Sequence, residues 1–193
     1  MPAPETATEA AANRNALDGR PVVGVFRAPV FHLSEGFIQT QAASLKRYQP
    51  LIIGLEAKGH LLPELEDRVV LLSSPMQRMA LRLFGRTGRL PQALTDAAPV
   101  LIHAHFATDG LTALPIARAL DAPLVTSLRG YDVSVRPGRM LRSGRGSWMR
   151  YALLRRRLMT HGDLFLPVSD ALRTLALTAG FPADRTVTHY DGV

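Results

Sequence analysis

The sequence predicts an α/β fold, a doubly wound and mostly parallel sheet, and three observations carry that prediction. Short apolar runs alternate with stretches of helical spacing from residue 21 onward. Residues 100–132 condense the pattern. The run Val100-Leu101-Ile102-His103-Ala104-His105 is followed by a helix-like stretch and then by Pro123-Leu124-Val125-Thr126-Ser127-Leu128. Strand, helix and strand within about thirty residues form a βαβ unit, which implies parallel strands. Both apolar runs also end abruptly in polar residues: His103 and His105 at one end, Arg129 and Asp132 at the other. Ligands of open parallel sheets bind outside the carboxyl ends of the strands. The pattern that gives the fold therefore also marks a site.

The remaining elements follow in order. Residues 21–28 form a first strand, because Val22, Val23, Val25 and Phe26 favour extended chain and prolines bound the run. After a loop at 29–33, Ser34 is placed to cap a helix over 35–45, with Phe37, Ile38, Gln41 and Leu45 at helical spacing. Strands follow at 50–55 and 68–72. Residues 74–97 read as two helical pieces broken at 85–88 by Gly85-Arg86-Thr87-Gly88. The fourth strand covers 100–105, a helix 109–120, and the fifth strand 123–128. A Gly/Arg loop is predicted over 133–146, a basic helix over 147–161 and a sixth strand over 163–168. Ser169 then caps a helix that runs to Ala179, with Gly180 as its terminator. A last strand is predicted at 185–190.

Length and composition set the bounds. A chain of 193 residues with 47% hydrophobic residues supports one full domain with a real core. There is no cysteine, which rules out a disulfide framework and thiolate chemistry. Residues 1–20 are rich in Ala, Thr, Glu and Asn and hold no signal-like apolar run; they are expected to be a mobile tail. No run approaches the roughly 20 apolar residues of a membrane span, so a cytoplasmic, soluble domain over 21–193 is expected. The net charge of +7 is local in origin: between Asp132 and Asp163 there is no acidic residue but eight arginines. Arg150, Arg155, Arg156 and Arg157 lie on one predicted helix with Trp148, Met149, Tyr151, Leu153, Leu154 and Leu158. Such a helix suits an anionic membrane surface, while a solvated basic face over a packed core is the plainer reading.

Each candidate residue also has two readings. His103 and His105, at i and i+2, share one face of their strand. Zinc needs three or four ligands, and no further ligand lies near in sequence. The pair then either caps the strand edge or meets a sugar or phosphate in the cleft. Ser34-Glu35-Gly36 places free N–H groups at a helix start, where an anion or polar group binds, or it is an ordinary first turn. Arg129 offers a planar fork for phosphate or carboxylate; Asp132 orients it, accepts a sugar hydroxyl, or is its salt-bridge partner. Ser169 is a cap first and a ligand donor second. No G-x-G-x-x-G and no Walker loop occurs, so no dinucleotide or ATP phosphate site of the usual kind is supported.

Taken in order, these residues resemble the N-terminal half of bacterial family-four glycosyltransferases with the GT-B architecture. The resemblance rests on Phe31-His32-Leu33-Ser34-Glu35-Gly36-Phe37-Ile38, on His103-Ala104-His105-Phe106 with Gly110, and on Pro123-Leu124-Val125 through Gly130-Tyr131-Asp132. Pro167-Val168-Ser169 with Leu172, Gly180-Phe181-Pro182 and Gly192-Val193 continue it. It implies one Rossmann-like, acceptor-side domain, facing a donor-binding domain that is not within these residues. It implies a retaining hexosyltransferase of surface or exopolysaccharide synthesis that needs no metal and no cofactor. The nucleotide-sugar is then a substrate, the acceptor a glycan or polyprenyl-linked sugar, and the anionic inner face of the plasma membrane a peripheral partner. By position, the resemblance implies that His105 in the cleft wall and Arg129 and Asp132 near the reacting sugar are catalytic, and that Ser34, Glu35 and Gly36 in the first-strand loop, with His103, Gly130 and Ser169, bind substrate. Two departures stand out: Arg129 where many relatives carry His, and Tyr190-Asp191 where Asn or Pro often precedes the final Gly-Val. The 193 residues alone are expected to be inactive. The other readings are a sugar-nucleotide epimerase of the same architecture and a basic nucleic-acid-binding module. The latter is opposed by 6% aromatics and the lack of any nucleic-acid motif.

Overall fold

The computed structural model describes residues 19–30, 36–57, 59–72 and 74–191. Six strands form one sheet: β1 (Val22–Val30), β2 (Gln49–Ala57), β3 (Val69–Leu71), β4 (Leu101–Ala104), β5 (Leu124–Leu128) and β6 (Leu164–Pro167). Their order is β3-β2-β1-β4-β5-β6, and every pairing is parallel. This is the doubly wound, Rossmann-like order that the sequence predicts. The chain winds outward in one direction from β1 to β3 and in the other from β4 to β6. The gap between the ends of β1 and β4 is therefore the switch point, where loops diverge and leave a crevice.

The helices are α1 (Gly36–Ala43), α2 (Pro63–Glu66), α3 (Pro75–Phe84), α4 (Gln92–Ala97), α5 (Ala107–Ala119), α6 (Tyr131–Ser134), α7 (Pro137–Leu141), α8 (Gly146–His161) and α9 (Asp170–Ala179). Alternation along β1 divides the core between the two sheet faces. Val22 and Phe26 join Leu51, Ile53, Ile102 and α5 on one side, and Val23 and Val25 join Ile38, Ala42 and Ile52 on the other. Burial on both faces explains why these strands read as continuous apolar runs. The central helix, α5, seats tightly because of Gly110. A Cβ there would lie 2.7 Å from Thr126 Oγ1 and 2.8 Å from its methyl group. That close approach brings the start of α5 against the ends of β4 and β5.

The predicted break at 85–88 is a helix stop: Gly85 ends α3 with φ 65°, a left-handed turn that glycine takes without strain. Two predictions need correction, and one short helix has no sequence signal. The loop at 133–146 contains α7 and borders α6, because Pro137 pre-sets a first turn and Met140 anchors it in the core. The four-residue α2 has no periodic signal and was not foreseen; Pro63 starts it and Leu65 buries it. The strand at 185–190 is not formed. Ala183–Arg185 makes a 3₁₀ turn, Thr186 bridges Phe165, and only the Val187 and His189 amides reach β6 carbonyls. Thr188 and Tyr190 donate instead to the Asp170 carboxylate at the start of α9, which draws the chain off the sheet. The expected tail, apart from residues 19 and 20, lies outside the described residues, as do Ser34, Glu35, Gly192 and Val193.

Candidate functional site

The site is built where β1, β4 and β5 end. His103 on β4 and His105, the first residue beyond it, bring their rings together with centroids 4.2 Å apart. His103 Nε2 and Ser127 Oγ are 2.8 Å apart across to β5. Arg129, the first residue beyond β5, donates to His105 Nδ1 at 3.3 Å and pairs with Asp191. Its guanidinium also stacks over Phe37 of α1 at 4.3 Å from the ring centroid. The Arg129 side chain is 8% exposed, and its buried Nε has no acceptor. The two departures from the family pattern, Arg129 and Asp191, thus meet as one ion pair. Phe37 is 43% exposed, while Ile38 and Ala42 on the same helix are buried.

A second layer fixes this cluster. Asp132 is buried, and its two carboxylate oxygens accept the backbone amides of Ala107 at 3.2 Å and Arg129 at 2.8 Å. It therefore caps the first turn of α5 and ties the end of β4 to the end of β5. Gly130 between them has φ 141°, which an L side chain rarely adopts, and nothing lies within 4 Å of where its Cβ would be. Tyr131 hydroxyl is 3.0 Å from Thr108 Oγ1, and its ring stacks between Phe106 and Trp148. On β1, just past its pairing with β4, Arg27 pairs with Asp109 of α5 at 2.5 Å and covers the Phe106 ring. Sequence reading passed over this Arg27–Asp109 pair. The available signal was a charged residue inside each of two otherwise apolar runs.

Burial decides the protonation of these groups. Desolvation, aided by the Arg129 charge, lowers His103 to about 4. Desolvation, then His103 and the two arginines, lowers His105 well below its ordinary value. Both rings are neutral at neutral pH and can each accept one hydrogen bond and donate another. Burial pushes Asp132 up to about 7, against the pull of the two amides it accepts. Two neutral imidazoles, one guanidinium and an open glycine can orient hydroxyl and phosphate oxygens.

Not every predicted residue joins this cluster. Gly36 opens α1, exposed and with free space at its Cα. Ser169 caps α9, accepting from the Leu172 amide at 3.2 Å. Arg150, Arg155, Arg156 and Arg157 lie on α8, on the flank of the domain. Arg150 is half-buried and donates to Thr112 Oγ1 at 3.3 Å. Arg156 and Arg157 are exposed. Among the described residues, no three His, Asp or Glu side chains gather as a metal site, and no helix is long and apolar enough to cross a membrane.

Comparison with known proteins places this geometry. No curated protein matches the sequence. Two solved structures share the fold at a TM-score of 0.54. One is the lipopolysaccharide outer core galactosyltransferase WaaB in its apo form, at 12% identity. The other is Alr3699/HepE of Anabaena in complex with UDP and glucose, at 18% identity. Each likeness covers 90% of this chain but only 46% and 45% of the respective relative. The chain thus spans about half the length of those proteins. The Glycosyltransferase Family 4 model matches residues 12–193, nearly the whole sequence. The chain belongs to Glycosyltransferase Family 4.

Proposed function

We propose that this chain is the acceptor-side half of a retaining glycosyltransferase that builds a surface polysaccharide. A nucleotide-sugar is the donor, and a glycan or polyprenyl-linked sugar the acceptor. The observation that carries the reading is the convergence of His103, His105 and Arg129 at the switch point of a domain belonging to this family. HepE was solved with UDP and glucose, which supports a nucleotide-sugar donor here. Neutral imidazoles at the ends of parallel strands suit sugar hydroxyls, since each ring offers one donor and one acceptor. Arg129, held by Asp191 and Phe37, supplies positive charge toward the opposite wall, where the donor phosphates lie. Asp132 acts as a positioning residue: it holds the two strand ends that carry the cluster. Membrane association from the cytoplasmic side brings the enzyme to a lipid-linked acceptor. Half of the site lies beyond this domain, so the 193 residues alone transfer no sugar.

The test is direct. The His103 and His105 ring resonances are followed by NMR while soluble oligosaccharides or a short-chain prenyl diphosphate sugar are added. An acceptor is expected to shift both rings, and Arg129→Ala to abolish the shift. In parallel, nucleotide release and free epimer are measured with UDP-, GDP- and ADP-sugars. Rings that respond to no glycan overturn the acceptor-side reading. Sugar transfer by the chain alone overturns the half-site, and accumulation of a free epimer identifies the epimerase instead.

A further inference from the structure

Three half-buried aromatic rings stack in a row beyond the ends of β4 and β5. Phe106, the N-cap residue of α5, faces Tyr131 of α6 with ring centroids 5.5 Å apart and planes tilted by 16°. Tyr131 in turn faces Trp148 of α8 at 5.1 Å and 19°. A guanidinium covers each end of the row: Arg27 lies 4.7 Å from the Phe106 centroid and Arg145 4.8 Å from that of Trp148. The row begins beside the candidate site, since Phe106 follows His105 and Tyr131 follows the open Gly130. It ends on the first turn of α8, at the only tryptophan of the sequence.

The two guanidinium caps are held differently. The Arg27 side chain is 11% exposed and paired with buried Asp109, so it stays over its ring. Arg145 is exposed, and among the described residues no carboxylate pairs with it. It stands between Gly144, with φ 70°, and Gly146, and nothing lies within 4 Å of a Cβ built at either glycine. An exposed cation–π contact is weak. Arg145 therefore covers the outer face of the indole on a turn with room to swing aside. That face and those donors suit a pyranose ring. Its C–H face matches the electron-rich face of an aromatic ring, and the hydroxyls at its rim match a guanidinium.

We infer that Trp148 and Arg145 form an outer sugar subsite, where a sugar ring of the acceptor remote from the reacting end stacks on the indole. Arg145 turns aside at Gly144 and Gly146 and donates to the hydroxyls of that ring. Continuity selects this occupant: the row of rings starts at the neighbours of His105 and Gly130, so a glycan whose end lies at the histidines runs along it. The inference rests on the acceptor-side reading above and narrows it. The acceptor is an oligosaccharide, and a single lipid-linked sugar leaves the subsite empty. Trp148 is then a specificity-determining residue for acceptor length.

Because Trp148 is the sole tryptophan, the fluorescence of the 193-residue chain reports on this subsite directly. Neutral di-, tri- and tetrasaccharides of glucose, galactose and mannose are titrated against a single-sugar prenyl diphosphate. Indole emission and the His103 and His105 resonances are read together. An oligosaccharide that shifts the histidines is expected to move the emission to the blue and to cut acrylamide quenching about twofold. The single-sugar probe is expected to shift the histidines and leave the indole unchanged. Trp148→Ala should weaken oligosaccharide binding, read from the histidines, about tenfold, with Trp148→Phe within about threefold of the parent. Single-sugar binding should stay unchanged in both. Arg145→Ala should raise acrylamide quenching of the free chain and weaken the oligosaccharide about threefold. Circular dichroism melts verify that each variant folds; if Trp148→Ala does not, the parent emission and Arg145→Ala decide. Histidines that answer an oligosaccharide beside a silent indole overturn the subsite and leave the proposed function standing. An indole that answers beside silent histidines does the reverse, and silence of both overturns both. Equal loss of single-sugar and oligosaccharide binding in Trp148→Ala makes the ring scaffolding and overturns the inference. So does UDP alone shielding the indole as well as an oligosaccharide does, since a base is then the occupant.

Discussion

The strand-end cluster and the flank cleft both concentrate guanidinium groups, yet they treat them oppositely. Arg129 is 8% exposed and engaged on three sides by Asp191, His105 and Phe37. The cleft beside α5 and α8 holds Arg86, Arg118, Arg150 and Arg157, with no carboxylate among its lining residues. A buried cation costs several kcal/mol unless paired. Arg129 is therefore a pre-organised group whose own domain supports it, suited to holding a substrate in one geometry. The cleft arginines are complete only when something anionic arrives. Two arginine sites in one small domain are thus satisfied differently, one by groups of its own fold and one with no carboxylate beside it.

The largest effect is expected from breaking the frame of the first site. Asp132→Ala leaves the amides of Ala107 and Arg129 buried without acceptors. An unsatisfied buried donor costs roughly 1–3 kcal/mol, so the loss of two should lower unfolding free energy by about 3 kcal/mol in a urea titration. The histidine resonances should broaden, while binding to anionic vesicles stays unchanged because the arginines of α8 do not depend on that carboxylate. If vesicle binding falls in step with the histidine response, the two regions are coupled and the contrast between them fails.

How legible these regions were in the sequence also differs. The strand ends were visible because the apolar runs stop at His103, His105 and Arg129, and a parallel sheet turns such stops into a site. What surrounds Arg129 was hidden. Phe37 and Asp191 lie 92 and 62 positions from it, and no local pattern announces a contact over that distance. Asp132 was placed near the reacting sugar, yet it serves two backbone amides; a carboxylate just after a strand looks the same in either role. On the flank, Arg150 and Arg157 were visible as charge, and the wheel of 75–84 was visible as helix. Which side of α3 faces outward was not legible. An amphipathic pattern orients its apolar side inward by default, and only Arg78 to Leu55 and Arg82 to Glu56 show it reversed. The predicted strand at 185–190 failed for a related reason, since side chains bound to Asp170 outweigh strand propensity.

A smaller effect sharpens the electrostatic side of the contrast. As pH falls from 6.5 to 4, the unfolded His103 takes a proton that the folded ring refuses, so stability falls. His105, also lowered by burial, acts in the same direction. Asp132 opposes them, because between 3.8 and about 7 the folded carboxyl keeps a proton that the unfolded one releases. Two groups against one leave a net loss of about 1 kcal/mol per pH unit in this window. His103→Gln should flatten that slope, and urea midpoints measured from pH 6.5 to 4.5 will show it. A slope unchanged in His103→Gln would mean that the ring titrates freely and the strand-end site is wet.

The smallest effects test the contrast itself, because their signs should differ. Arg129→Ala strips Asp191 of its cation and the Phe37 ring of its stacked partner. Asp191 is 41% exposed, so solvent screens the pair. A double-mutant cycle of Arg129→Ala with Asp191→Ala should therefore return a coupling of only about 0.5 kcal/mol, in the stabilising sense. Arg150→Met removes a half-buried cation beside Arg157 and keeps the apolar stem that covers α5. It donates to Thr112 Oγ1, a weak bond at 3.3 Å. Relief of desolvation and repulsion outweighs that bond, so Arg150→Met should raise unfolding free energy by a few tenths of a kcal/mol while weakening vesicle binding. A domain that becomes more stable as it loses a ligand group has kept that group for binding. Should Arg150→Met destabilise as much as Arg129→Ala, the cleft arginines are satisfied within the fold, and both sites are scaffolding of one kind.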